Sequence, residues 1–179
     1  KAYNTLVIIM AVLLSFLEFL VGTLLHFLYD FFPYPFIAIF SATNESVFEH
    51  LKLFVYPMLL GYLWIYIFKD IDIKKYMKAM FYGLLSGLLS LLFIYYFVRY
   101  GLGIESLVFD ILLLLTSIIV GNSLSYYVYF HVDTSSWIIY VVAFVLLMIL
   151  LVLGTFYPLD IPLFQEEKAV ETLLQSLME

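Results

Sequence analysis

The sequence predicts an all-α polytopic membrane protein, a bundle of about five transmembrane helices with a short interfacial helix between the first two. Three observations carry that prediction. Of 179 residues, 65% are hydrophobic and only 12% charged, against about 25% charged in soluble domains. Mean hydropathy is +1.09, and a water-soluble fold of this size cannot hide so much apolar surface. Apolar runs of roughly 20 residues, the length that crosses a bilayer, recur between short polar or Pro/Gly-containing breaks.

The first run covers about 5–29. The stretch "LVIIMAVLLSFLEFLVGTLLHFLY" is too long for a signal-peptide core and lacks a small-residue cleavage site. It therefore reads as a retained helix. "DFFPYPF", with Pro33 and Pro35, ends it. The following "PFIAIF", 35–40, is too short to span and reads as a short helix or re-entrant piece at the interface. The second span is 47–68, followed by the charged loop "KDIDIKK". The third, 77–99, carries Gly83, Ser86, Gly87 and Ser90, a small-residue stripe suited to close helix packing. "RYGLG" separates it from the fourth, 105–130, and "HVDTSS" supplies caps before the fifth, 136–156. "YPLDIPLF", with Pro158 and Pro162, closes the last span. Short connections make consecutive helices antiparallel neighbours. Residues 1–164 thus form one transmembrane domain. Residues 165–179 form an acidic tail with Val170, Leu173, Leu174, Leu177 and Met178 at helical spacing, an amphipathic helix on the surface or a partner-binding element.

Five crossings put 30–46, 100–104 and everything after 157 on one side of the membrane, and the N-terminus, 69–76 and 131–135 on the other. The second side holds Lys1, Lys69, Lys74, Lys75 and Lys78; the first has only Lys52, Arg99 and Lys168. Short lysine-rich loops stay in the cytoplasm. The N-terminus is therefore expected to be cytoplasmic and the C-terminus extracytoplasmic. Cysteine is absent, which excludes disulfides, thiolate zinc sites and cysteine nucleophiles. The net charge of −6, without a basic patch, makes nucleic acid an unfavoured partner; the expected surroundings are the lipid bilayer.

One stretch departs from this hydrocarbon background: "SATNESVFEHLKLFVYP", 41–57. Ser46 and Glu49 read S-x-x-E, a capping box for the second span, and carboxylates are favoured at the positive end of the helix dipole. Capping leaves His50 unexplained. His26 and Asp30 end the first span on the same side, Arg99 closes the third, and Asp110 opens the fourth. Glu18 lies two turns deeper than His26 on one stripe, with Gly22 between them. Ionisable groups in the hydrocarbon region are costly unless paired or hydrated, and by default they mark function. Each also has a plainer reading as a capping, interfacial or helix-packing group. The convergence predicts that His26, Glu49, His50 and Asp110 surround one polar pocket, with Glu45 and Lys52 at its rim.

The stretches "HFLYDFF", "SATNESVFEHLKLFVYPML" and "TFYPLDIPLF" resemble a family of small uncharacterised prokaryotic multi-pass membrane proteins. The family pattern is a histidine on the first helix, an N-E-S-x-x-E-H-x-K segment opening the second, and a Pro-rich P-L-F segment after the last. Asn44, Glu45, Ser46, Glu49, His50 and Lys52 match the middle motif. The closing segment departs from the pattern after Phe164. The resemblance implies a shared fold and a shared site, and no known activity.

Three function classes fit the residues. The first is a divalent metal or cation site, zinc above others, with His26, His50, Glu49 and Asp110 as candidate ligands. If that site is catalytic, Glu49 or Asp110 serves as general base or orients an imidazole. The second is passage of protons or a small cation along Glu18, against which stands the lack of repeats or broken spans. The third is a structural or accessory subunit whose polar cluster locks two helices and whose acidic tail meets a partner.

Overall fold

The computed structural model describes residues 2–133 and 136–166, and among them every regular element is helical. The helices are α1 (Ala2–Phe31), α2 (Pro35–Ala38), α3 (Val47–Phe68), α4 (Ile73–Tyr96), α5 (Leu107–His131) and α6 (Ile138–Phe156). α4 runs on into a π-helical turn, Phe97–Gly101, and a 3-10 turn, Pro162–Phe164, follows α6. Five segments are long and apolar enough to cross a membrane: Met10–Phe31, Val47–Phe68, Ile73–Gly101, Leu107–His131 and Ile138–Phe156. The chain is a multi-pass membrane protein of the predicted class. α2 is the short piece expected between the first two spans, a single turn with a proline at its start.

The clearest boundary difference is at α4, which begins at Ile73 rather than near 77. The Asp72 carboxylate accepts from the N–H groups of Lys74 and Lys75, so the lysine pair forms the first turn instead of the preceding loop. The amphipathic helix expected in the acidic tail falls almost entirely on residues 167–179, outside the described residues.

α3 is the central helix. Thirteen of its residues are buried, against Leu151 and Gly154 in α6, although α3 carries Glu49, His50 and Lys52. Pro57 sits inside α3, and proline cannot donate to the carbonyl four residues earlier, here Leu53. α1 meets that freed carbonyl with Gly22, where a Cβ would stand 2.5 Å from the Leu53 oxygen. A Gly22 hydrogen is the only substituent that fits there. α4 and α5 approach in the same manner through the small-residue stripe: a Cβ on Gly83 would lie 2.9 Å from the Gly121 carbonyl oxygen, the close backbone contact that small residues allow in membranes. α6 buries only Leu151 and Gly154 among its described side chains. The Phe48 ring of α3 fills the space over Gly154 and stacks on Phe164 at 4.2 Å between centroids, which folds the Pro-rich closing segment back onto the start of α3.

Candidate metal centre

The loop between α2 and α3 has its own anchors. The Ser41 hydroxyl, fully buried, reaches into the last turns of α1, where it donates to the Leu25 carbonyl and accepts from the Tyr29 N–H at 2.9 Å. The Glu49 carboxylate accepts from the Thr43 N–H at 2.7 Å and the Thr43 hydroxyl at 2.9 Å. The Lys52 ammonium donates to the Ala38 carbonyl at 2.7 Å. Asn44 accepts from the Ser46 N–H at 2.9 Å, and Ser46, in extended conformation, caps α3 by accepting from the Glu49 N–H at 3.4 Å. The capping box is thus half formed. The hydroxyl caps as expected, but Asn44 serves the Ser46 N–H while the Glu49 carboxylate turns to Thr43.

This scaffold presents Glu45 to the two histidines. His26 Nε2 and His50 Nε2 are 3.2 Å apart. A Glu45 carboxylate oxygen lies 3.7 Å from the first and 3.5 Å from the second. One ligand atom from each of the three residues falls within 4.8 Å of the others. His50 Nδ1 is 2.8 Å from the Ser46 carbonyl. A carbonyl only accepts, so Nδ1 carries the proton and the Nε2 lone pair points at His26. That is the backbone support given to metal-ligating histidines. The Glu45 side chain is 67% exposed while both imidazoles are partly covered, so the group opens outward at the end of the bundle.

The structure divides the residues that the sequence brought together. His26 and His50 meet. Glu49 and Asp110 do not join them, and Glu45, expected at the rim, takes the carboxylate's place. Glu49 is excluded by its own partners. One oxygen binds Thr43 and, at 2.6 Å, Lys52; the other accepts from the Thr155 hydroxyl of α6 at 3.2 Å. Lys52 is likewise not at a rim: its side chain is fully buried, and it also donates to Thr155 at 3.0 Å. Asp110 lies in the first turn of α5, half-buried, where the helix dipole favours an acid, and it offers no atom to the histidine group. Arg99 lies in the π-helical turn and Asp30, exposed, at the end of α1. Glu18 is only 3% exposed and accepts from Asn122 of α5 at 2.6 Å. It faces the bundle rather than lipid, as its cost in hydrocarbon requires, and Asn122 links α5 to α1 through it. Thr43, Ser41 and Thr155 are the structural residues that sequence reasoning missed. An isolated hydroxyl near a helix end carries no pattern that could have identified them.

Comparison with curated proteins and with solved structures returns no match. One family model does match, over residues 4–171, and so runs past Phe164 into the acidic tail. With that span covering nearly the whole chain, the protein belongs to the family of unknown function DUF6512.

Proposed function

We propose that this membrane protein binds a divalent metal ion, zinc before others, through His26, His50 and Glu45, at the membrane face opposite the lysine-rich one. The observation that carries this reading is the triangle of donor atoms, with edges of 3.2, 3.5 and 3.7 Å. Zinc–ligand distances of about 2.0–2.2 Å in a tetrahedron set neighbouring donors roughly 3.3–3.6 Å apart; an octahedron at the same bond lengths brings them to roughly 2.8–3.1 Å. Two imidazoles and a carboxylate also suit zinc chemically, and the Ser46 carbonyl already holds His50 in the ligating tautomer. Three protein donors with an outward-facing fourth position form the pattern of a catalytic rather than a structural zinc site. When bound, the ion supplies Lewis acidity at that position. The chain's own part is to orient His50, to balance charge with Glu45, and to fix the Glu45 loop through the buried Glu49–Lys52 pair.

Zinc titration of the metal-stripped chain, with elemental analysis of the protein after dialysis, tests this. Wild type should retain a stoichiometric zinc ion, His26→Gln and His50→Gln should lose it, and Glu45→Gln should bind at least about tenfold more weakly. Glu105→Gln, an exposed acid elsewhere on the same side, should bind as wild type. Lowering the pH from about 7.5 to about 5.5 should release the ion, because imidazole ligates only when neutral. A folded wild-type chain that takes up no zinc at micromolar free metal overturns the reading and leaves His26 and His50 as a hydrogen-bonded link between α1 and α3.

A further inference from the structure

The second concentration of buried polar atoms lies far from the histidines, between α1, α3, α4 and α5. Glu18 stands 13 residues before the end of α1, about 20 Å along the helix, in a hydrocarbon layer about 30 Å thick. It is 3% exposed. Asn122 Nδ2 donates to one carboxyl oxygen at 2.6 Å and to the Ser15 hydroxyl at 3.0 Å. The other oxygen is buried without a hydrogen-bond partner among the described residues. It occupies the space that a side chain at Gly61 of α3 would need.

The groups facing Glu18 are neutral. α3 contributes Gly61 and the Tyr62 phenol, α4 the Tyr76 phenol, and α5 Asn122. Among the described residues no lysine, arginine or histidine forms an ion pair with it. Glu49, the other buried carboxylate, differs in every respect: it has an ammonium at 2.6 Å and hydrogen bonds to both oxygens. A bare anionic oxygen in such a place costs several kcal/mol, so Glu18 requires a positive charge that the surrounding side chains do not provide.

We propose that Glu18 is a proton-binding site in the membrane interior, its carboxyl group held in the acid form between Asn122 and Gly61 and able to exchange its proton. The amide donor fixes one oxygen and leaves the other as the proton's seat. The phenols of Tyr62 and Tyr76 are titratable neighbours of that carboxyl group. The site is independent of the histidine group, which lies two helical turns further along α1.

Infrared spectroscopy of the full chain in lipid, with 13C-carboxyl glutamate, tests the proposal. A carboxylic-acid C=O band should be present at neutral pH, shift with the label, and vanish in Glu18→Gln. Should that variant fail to fold, adduct mapping in wild type makes the same assignment. Dicyclohexylcarbodiimide adds to a carboxylic acid, and one adduct should map to the peptide carrying Glu18, its yield falling as pH rises. Absence of the acid band, its persistence in a folded Glu18→Gln protein, or absence of the adduct overturns the proposal. So does loss of the band on adding sodium at constant pH, which would make a metal cation the ligand.

Discussion

Replacing Lys52 with methionine tests the scaffold under the histidine group. The Lys52 side chain is 0% exposed and that of Glu49 3%, with 2.6 Å between ammonium and carboxylate. At that distance and an effective dielectric of about 20, their attraction is about 6 kcal/mol, most of it offset by the desolvation of both ions. The pair as a whole therefore contributes little, while half of it is expensive. Lys52→Met keeps the volume but leaves the Glu49 carboxylate buried with only Thr43 and Thr155 as donors, and strips the Ala38 carbonyl of its partner. The expected loss is about 3–5 kcal/mol, a large part of a total stability of about 5–15 kcal/mol. Glu49→Gln with Lys52→Met removes both charges and keeps an acceptor for Thr43, so the double variant should lose only about 1–2 kcal/mol. The assay is reversible unfolding in mixed micelles on titration with SDS, followed by far-ultraviolet circular dichroism, with the three variants forming a double-mutant cycle. A single variant within about 1 kcal/mol of wild type, or a double variant as unstable as the sum of the singles, refutes the reasoning.

Gly22→Ala should destabilise the bundle by about 1–3 kcal/mol, since its Cβ would stand 2.5 Å from a backbone oxygen that cannot yield; Leu24→Ala, two residues along the same helix on its outer face and 71% exposed, is the control, and equal midpoints in SDS for the two would reject the contact. For orientation, cysteines at Asp70 and Leu159, both exposed, should react from opposite faces with a membrane-impermeant maleimide, Leu159→Cys in intact cells and Asp70→Cys only after lysis. The reverse pattern rejects the lysine-based orientation, and labelling from one face rejects an odd number of crossings.

The spans were legible because the bilayer imposes one length on every crossing, so 47–68 coincides with α3 and the breaks at Pro33, Gly103 and Pro158 fall between helices. The meeting of His26 with His50 was legible for a related reason: a polar group at the mouth of an apolar helix has few places to go. The direction of Glu18 followed from its cost in lipid. In each case a single chain segment and the solvent around it decide the outcome.

Which carboxylate joins the histidines was decided only by the tertiary structure. Helical spacing puts Glu45 and Glu49 on one face, but Glu45 lies in a bend before the cap, and the cap residue Ser46 is itself extended at φ −74 and ψ 151, so helical spacing does not apply to Glu45. Glu49 does follow the helix, about 100° from His50; once His50 faces α1, Glu49 must turn towards the loop and α6, where Lys52 and Thr155 take up its oxygens. The sequence alone determined the number of crossings, the level at which the polar groups gather and the need for each buried charge to find a partner. The identity of each partner depended on how α1, α6 and a fifteen-residue loop (32–46) close around α3, and no local pattern encodes a contact such as that of Thr155 with Glu49, 106 residues apart.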